Sequence, residues 1–166
     1  MTQHYLIRPI EADEWQDYKA VRLRALKDSP EAFGSTYEGS LKNSDQEWQD
    51  RLANVQPHAD LPLTAVMQES FVSLAWGKIE SGSTTAFLYQ MWVAPEARGH
   101  GIGRNLLTEV IHWARKNDAR TMELHVTTGD RPARRLYDSA GFEPYGEPEP
   151  MRPGSDLMEQ AMRLIL

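Results

Sequence analysis

RGHGIG, residues 98–103, is the stretch of this chain that decides its fold. It follows an apolar run, residues 87–93, and precedes the apolar periodicity of an amphipathic helix. A strand that turns through small residues into a helix presents free N–H groups and the positive end of the helix dipole. Glycine carries no Cβ atom that would hold an anion away from this backbone. The stretch therefore predicts a binding site for a phosphorylated cofactor.

Two arginines flank the glycines and narrow the kind of cofactor. Arg98 and Arg104 add cationic side chains to the backbone donors. A nucleoside-triphosphate loop requires Gly-Lys-Ser/Thr, which the chain lacks, and the dinucleotide fingerprint requires glycine at position 104, where arginine stands. A tight turn without any ligand is the plain alternative, which three alternating glycines beside arginine disfavour.

Composition limits the classes of protein to which the chain can belong. Its 166 residues fit one domain, residues 1–166, and its acidic balance of 18 Lys and Arg against 24 Asp and Glu argues against nucleic-acid binding. The acidic surplus serves solubility or favours a cationic second ligand. No apolar run reaches a membrane span, and no secretory signal is visible, so a cytoplasmic location is expected. Without cysteine, and with scattered histidines, no metal site is expected.

The apolar periods indicate an α+β chain. Three consecutive strands with short links predict an antiparallel meander, and a helix and a further strand follow the glycine loop as a β–α–β crossover. A loop is expected over residues 31–40. The predicted strands cover residues 5–8, 64–67, 71–79, 85–93, 121–126 and 158–166, and the predicted helices follow Asp13, Ser44, the glycine loop and Asp130.

The glycine loop resembles the acetyl-CoA loop of the GCN5-related N-acetyltransferase (GNAT) family, whose pattern is Gln/Arg-x-x-Gly-x-Gly/Ala. Residues 89–95 (YQMWVAP) look like the family's fourth strand, and residues 133–142 look like its Ala-x-x-Leu-Tyr…Gly-Phe helix. Residues 22–33 are similar to N-terminal sequences common in the family. The resemblance implies a mixed, mainly antiparallel central sheet with helices on both faces and a splayed fourth and fifth strand.

The resemblance also implies that acetyl-CoA is the acyl donor. Its pantetheine arm would enter between the splayed strands and bind backbone groups of Met91 and Val93, and the loop would take the pyrophosphate. Where the family usually has asparagine, this chain has Asp130, which cannot donate an amide hydrogen bond and suits a helix N-cap equally well. The implied cofactor site comprises Met91, Val93, Arg98, Gly99, His100, Gly101, Ile102, Gly103, Arg104, Asp130 and Tyr137.

For catalysis the resemblance implies that Tyr137 is the general acid that protonates the departing thiolate. Many family members carry a glutamate base on the fourth strand, but residues 85–93 contain no carboxylate. Glu38, in the loop that shapes the family's acceptor site, is the substitute that the sequence offers. Phe33 and Tyr37 in the same loop, and Tyr89 on the strand, are candidate acceptor contacts, with simple packing as the alternative for the loop aromatics.

The expected activity is transfer of an acetyl group from acetyl-CoA to a primary amine by direct attack in a ternary complex. A small-molecule amine is favoured over a peptide amine because the chain shows no obvious protein-docking extension. The loss of the family's glutamate and asparagine keeps an alternative open, a non-catalytic module that binds acetyl-CoA as a sensor. No nucleic-acid or membrane partner is expected, and a homodimer is compatible with the sequence.

Overall fold

Nine strands and five α-helices make up the part of the chain that the computed structural model describes, residues 4–166. The strands are β1 (Leu6–Pro9), β2 (Asp60–Met67), β3 (Ser70–Phe71), β4 (Ser73–Ile79), β5 (Thr85–Val93), β6 (Thr121–Thr127), β7 (Glu143–Pro144), β8 (Glu149–Pro150) and β9 (Met158–Ile165). The helices are α1 (Trp15–Asp28), α2 (Tyr37–Leu41), α3 (Asp45–Ala53), α4 (Ile102–Lys116) and α5 (Arg131–Ser139).

The strands form one sheet in the order β1-β2-β4-β5-β6-β9-β7, with β3 paired to β2 and β8 to β9. Every described pair is antiparallel except β5 with β6, which α4 connects. A parallel pair needs a long crossover, and the apolar stripe of α4 lets that crossover pack on the sheet. The predicted mixed, mainly antiparallel sheet is confirmed.

Helices cover both faces of the sheet. Side chains alternate along a strand, so Trp76 and Gly77 of β4 point to opposite faces. The Trp76 ring lies 5.8 Å from the Tyr18 ring of α1, whereas a Cβ atom on Gly77 would meet Trp113 of α4. The N-terminal helices therefore cover one face, called the α1 face below, and α4 covers the other.

Gly77 is required by the close approach of α4 to β4. A Cβ atom there would lie 2.8 Å from Cζ3 of Trp113 and 3.0 Å from Cγ1 of Val110. We expect Gly77→Ala to lower the free energy of unfolding by about 1–3 kcal/mol, measured by urea denaturation, because the core is overpacked. The matched control is Gly34→Ala, whose Cβ atom would meet only Met151 O at 3.7 Å. Equal stability of the two variants would contradict this assignment.

The parallel pair opens into a fork. β5 and β6 pair only where residues 85–87 lie opposite residues 121–123, and beyond Phe87 and Glu123 the two strands separate. Gln90 has φ 58°, and the register of β4 with β5 shifts between Leu74 and Trp76, which marks a β-bulge. The predicted splayed pair, the fourth and fifth strands, is thus confirmed. These strands are numbered β5 and β6 in the structure because the short β3 precedes them.

Some element boundaries differ from the predictions. β1 includes Pro9, which an edge strand tolerates because it needs no donor on its outer side. α2 lies within the predicted loop, where Thr36 accepts a hydrogen bond from Gly39 N at 3.1 Å and caps the helix. The segment before the predicted last strand contributes β8, which pairs with β9. Within residues 4–166 no helix is both long and apolar enough to cross a membrane.

Candidate active site

The fork holds a cleft of about 680 Å³. Its walls are the ends of β5 and β6, one side of α5, the first turn of α4, and the turn that follows α1. The residues that line it are Ser29, Glu31, Ala32, Met91, Trp92, Val93, Arg98, Gly103, Thr127, Thr128, Gly129, Asp130, Pro132, Ala133, Leu136, Tyr137 and Leu157.

Positive φ angles shape the glycine loop at the mouth of this cleft. Gly99 has φ 80° and Gly101, the N-cap of α4, has φ 81°, a region that favours glycine. Gly103 is helical, and a Cβ atom on it would meet Leu136 and Val93 at ordinary distances of 3.6 and 3.8 Å. Of the three glycines, the first two are therefore required by backbone conformation.

The loop presents a row of free donors. In the described chain, the N–H groups of residues 99–104 have no hydrogen-bond acceptor, and the first bonded amide is Asn105 N, 3.0 Å from Gly101 O. Ile102 is buried in the core, so it offers only its backbone, while the His100 side chain is exposed. Together with the helix dipole, this row forms an anion site.

A distant tyrosine holds the loop in place. The Tyr5 hydroxyl donates to His100 O at 3.2 Å and accepts from Asn105 Nδ2 at 2.6 Å. It therefore ties β1's N-terminal end to both sides of the glycines. Sequence reasoning missed this contact, and no local signal marks it, since Tyr5 and Asn105 lie 100 positions apart.

The Arg98 guanidinium points to α1. Its Nε donates to Val93 O at 2.9 Å, and a terminal nitrogen donates to Asp28 Oδ2 at 3.0 Å. Asp28 also accepts from Trp92 Nε1 at 3.0 Å and from Ser29 Oγ at 2.8 Å. The Trp92 hydrogen bond, followed by those of Ser29 and Arg98, lowers the pKa of Asp28. Binding of pyrophosphate by the Arg98 side chain stays a prediction, as it does for the exposed Arg104.

Tyr137 occupies the α5 wall of the cleft. Its side chain is 5% exposed, its ring packs edge-on against Phe142 at 5.8 Å, and its hydroxyl makes no hydrogen bond to the residues described. Burial, and secondarily the Asp130 carboxylate, raise the pKa of this phenol well above its ordinary value. The hydroxyl therefore keeps its proton at neutral pH and has that proton free to donate.

Asp130 is the N-cap of α5. Its Oδ1 accepts a hydrogen bond from Ala133 N at 3.2 Å, and its side chain borders the cleft. Of the two roles considered from the sequence, capping is the one that the geometry shows. A contact with the pantetheine arm stays a prediction.

The predicted base and acceptor contacts lie outside the cleft. Glu38 and Tyr37 line a separate cavity of about 340 Å³. Tyr89, 45% exposed, lines another of about 330 Å³ on the α1 face. Phe33 is buried in the core, with the Arg22 guanidinium 4.7 Å from its ring centre. The structure thus does not bring Glu38 together with Tyr137, and it places Phe33 in a packing role, so their catalytic and acceptor roles stay predictions.

Among the side chains that the structure describes, no group of three or more His, Asp and Glu residues is placed to hold a metal ion. The cleft offers instead a row of backbone donors, two unpaired strand edges and one buried phenol. These groups suit a long, flexible, anionic ligand better than a metal-bound one.

Comparisons with known proteins agree with this geometry. Residues 14–142 match the model of the acetyltransferase (GNAT) family. A mycothiol acetyltransferase of Brachybacterium faecium is 30% identical over 145 residues, 86% of this chain and 41% of that protein. One of Thermomonospora curvata is 30% identical over 125 residues, 75% of this chain and 39% of that protein. The chain spans about two fifths of the length of these curated relatives.

Solved structures share the fold at low sequence identity. A GNAT-family acetyltransferase of Streptococcus pneumoniae has a TM-score of 0.83 at 19% identity, with 98% of this chain and 99% of that chain covered. The PaiA N-acetyltransferase of Thermoplasma acidophilum, in complex with coenzyme A, has a TM-score of 0.77 at 19% identity over 98% and 99% of the two chains.

Proposed function

The chain belongs to the acetyltransferase (GNAT) family, and we propose that it transfers the acetyl group of acetyl-CoA to a primary amine by direct attack. One observation carries this proposal: a single cleft joins the first turn of α4, at the loop of free N–H groups, to the proton of Tyr137. A ligand with a pyrophosphate at one end and a thioester at the other needs these two groups. Bound acetyl-CoA supplies an activated acyl group on a thiol leaving group.

The residues of the cleft fit acetyl-CoA as the acyl donor. The N–H groups of residues 99–104 would bind the pyrophosphate, because each is free in the described chain. Among the strands of residues 4–166, β5 has no partner on its β6 side beyond Phe87, so backbone groups of Met91 and Val93 can bind the amides of the pantetheine arm. Tyr137 would hold a proton where the thiolate departs.

Direct transfer follows from the side chains available. The chain contains no cysteine, so no thiol can carry the acetyl group between donor and acceptor. We therefore favour direct attack of the amine on the thioester while both substrates are bound. This requires an acceptor site that reaches the fork together with the donor.

We favour a small amine as the acceptor. The two cavities on the candidate acceptor side, lined by Tyr37 with Glu38 and by Tyr89, measure only about 340 and 330 Å³, which suits a small ligand. Named relatives and neighbours cover both classes, with a spermidine N-acetyltransferase from Vibrio cholerae and a ribosomal-protein-alanine N-acetyltransferase from Brucella melitensis. The cytoplasmic location and the homodimer stay predictions from the sequence.

A two-part assay tests the proposal. We expect acetyl-CoA to raise the thermal unfolding midpoint, because a ligand at 100 times its Kd stabilises the native state by about 2.7 kcal/mol. We also expect at least one member of a panel of primary amines to release free thiol from acetyl-CoA. Stabilisation by acetyl-CoA without thiol release for any amine would support the sensor alternative. The absence of both stabilisation and thiol release would overturn the proposed function.

A further inference from the structure

His125 lies beside the fork on the α1 face, and it is not among the residues that line the cleft. The last residue of β6 that pairs with β5 is Glu123, opposite Phe87, and His125 lies two residues beyond it. Tyr89 lies two residues beyond Phe87 on β5. His125 shares its face with Thr127, because side chains alternate along a strand. The Thr127 hydroxyl donates to Glu31 O at 2.7 Å, in the turn that follows α1. The imidazole therefore faces the side of the fork opposite to α4.

A carboxylate on the neighbouring strand lies beside this imidazole. β9 pairs with β6 so that Thr127 is opposite Glu159, which places Glu159 diagonal to His125. His125 Nδ1 lies 3.3 Å from Glu159 Oε1, and the two side chains are 42% and 24% exposed. Among residues 4–166, Nε2 of His125 has no hydrogen-bond partner. With the carboxylate beside Nδ1, Nε2 is the ring nitrogen open to a proton from a ligand.

We propose that His125, with Glu159 beside its Nδ1, is the general base that accepts the proton of the acceptor amine. This inference rests on the proposed function. An alkyl amine is only about 0.1% neutral at pH 7.4, so the reaction needs a proton acceptor. β5 provides no carboxylate over residues 85–93. Imidazole is the side chain whose charge ordinarily changes near neutral pH, which suits this task.

The base and the acid approach the fork from opposite faces. Tyr137 belongs to α5, and α5 packs beside α4, since a Cβ atom on Gly103 of α4 would lie 3.6 Å from Cδ2 of Leu136. His125 faces the α1 side. An amine that enters from the α1 face thus meets the imidazole first, while the thiol leaves towards the phenol. Direct displacement requires this separation of proton acceptor and proton donor.

The protons and bonds balance. The acceptor ammonium gives one proton to His125 Nε2, which later releases it to solvent. The neutral nitrogen then attacks the carbonyl carbon, the C–N bond forms and the C–S bond breaks. The departing sulfur takes the Tyr137 proton, and the second proton of the attacking nitrogen returns to Tyr137 through solvent. The products are the amide, the free thiol and one proton released to solvent.

Other charged and titratable groups surround His125 and Glu159. Their charges also affect the pH profile of the reaction. Glu123 on β6 is engaged by Arg163 of β9, whose Nε and terminal nitrogen donate to it at 3.0 and 2.6 Å. Glu149 of β8 is opposite Glu159 in the register. The groups on this face, beyond His125 and Glu159, include Glu123 on β6, Arg163 on β9, Glu143 on β7, Tyr145, Glu149 on β8, Tyr89 on β5, Lys78 on β4 and Glu31 in the turn after α1.

The test is the pH profile of kcat/KM for the acceptor amine. We expect His125→Gln to lower kcat/KM by about 100-fold at pH 7. The kcat/KM of the variant should approach the wild-type value as the pH nears the pKa of the amine itself. We expect Glu159→Gln to lower kcat/KM less than His125→Gln does, because the imidazole itself remains in place. Added imidazole should partly restore His125→Ala.

The controls separate the two levels of the proposal. His58→Gln, in the turn before β2, should keep the wild-type profile, and acetyl-CoA should stabilise every variant equally. A wild-type pH profile of kcat/KM in His125→Gln would overturn the role of His125 as the base, and the proposed function would stand. Loss of activity in Glu38→Gln but not in His125→Gln assigns the base to Glu38 and also overturns that role of His125. No thiol release by the wild type with any amine overturns both.

Discussion

Gly101→Val is expected to raise the Kd for acetyl-CoA by about 100-fold, because a β-branched residue cannot hold the backbone that aims the loop's N–H groups. Gly101 has φ 81° and caps α4, so any relaxation displaces the donors on both sides of it. Several amide hydrogen bonds to one anion would then weaken together, at about 0.5–1.5 kcal/mol each. Isothermal titration with acetyl-CoA measures the change directly.

The chain offers a matched control for this substitution. Gly82, in the turn between β4 and β5, has φ 77° and open space around its Cβ position. Gly82→Val therefore introduces the same backbone strain away from the cleft, and should lower stability without changing affinity. Equal losses of affinity in the two variants, or none in Gly101→Val, would show that the loop does not bind the cofactor.

Tyr137→Phe is expected to lower kcat by about ten- to a hundred-fold and to leave the KM for acetyl-CoA unchanged. The effect is bounded because a thiol with a pKa near 8.5 is already a fair leaving group, so its protonation contributes about 1.4–2.7 kcal/mol. Since burial raises the pKa of the phenol, the deficit should stay constant between pH 6 and about 9.

This substitution should not disturb the fold. The Tyr137 hydroxyl has no hydrogen-bond partner among the described residues, so its removal leaves no donor or acceptor unpaired. The ring keeps its contact with Phe142. Urea denaturation should give equal stabilities for variant and wild type. An unchanged kcat with an amine that the wild type acetylates would remove the acid role from Tyr137.

Much of the fold was predictable because its determinants are local. The limits of β5, residues 85–93, agree with the alternating run in the sequence. The capping box of Ser44 and Glu47 is present, with Ser44 N donating to Glu47 at 2.6 Å and Glu47 N to Ser44 at 3.2 Å. The short α2 was missed, since five residues carry too little periodicity to identify a helix.

The site was less predictable because its contacts span the chain. The sequence indicates Arg98 as a phosphate ligand by its position beside the glycines, but Asp28, 70 positions away, engages its guanidinium. Likewise, Glu159 approaches His125 only through the pairing of β6 with β9. A lone histidine on a strand has no motif, so only tertiary structure can reveal its partner.

The fork has a consequence for solubility. An unpaired strand edge is the place at which a protein recruits a foreign strand and begins to aggregate. Beyond Phe87 and Glu123 this molecule has two such edges, but the turn after α1 and helix α5 wall them in. A thin ligand arm can lie along these edges, whereas a strand that brings its own neighbours cannot. The protein thus keeps hydrogen-bonding backbone for a ligand while withholding it from other chains.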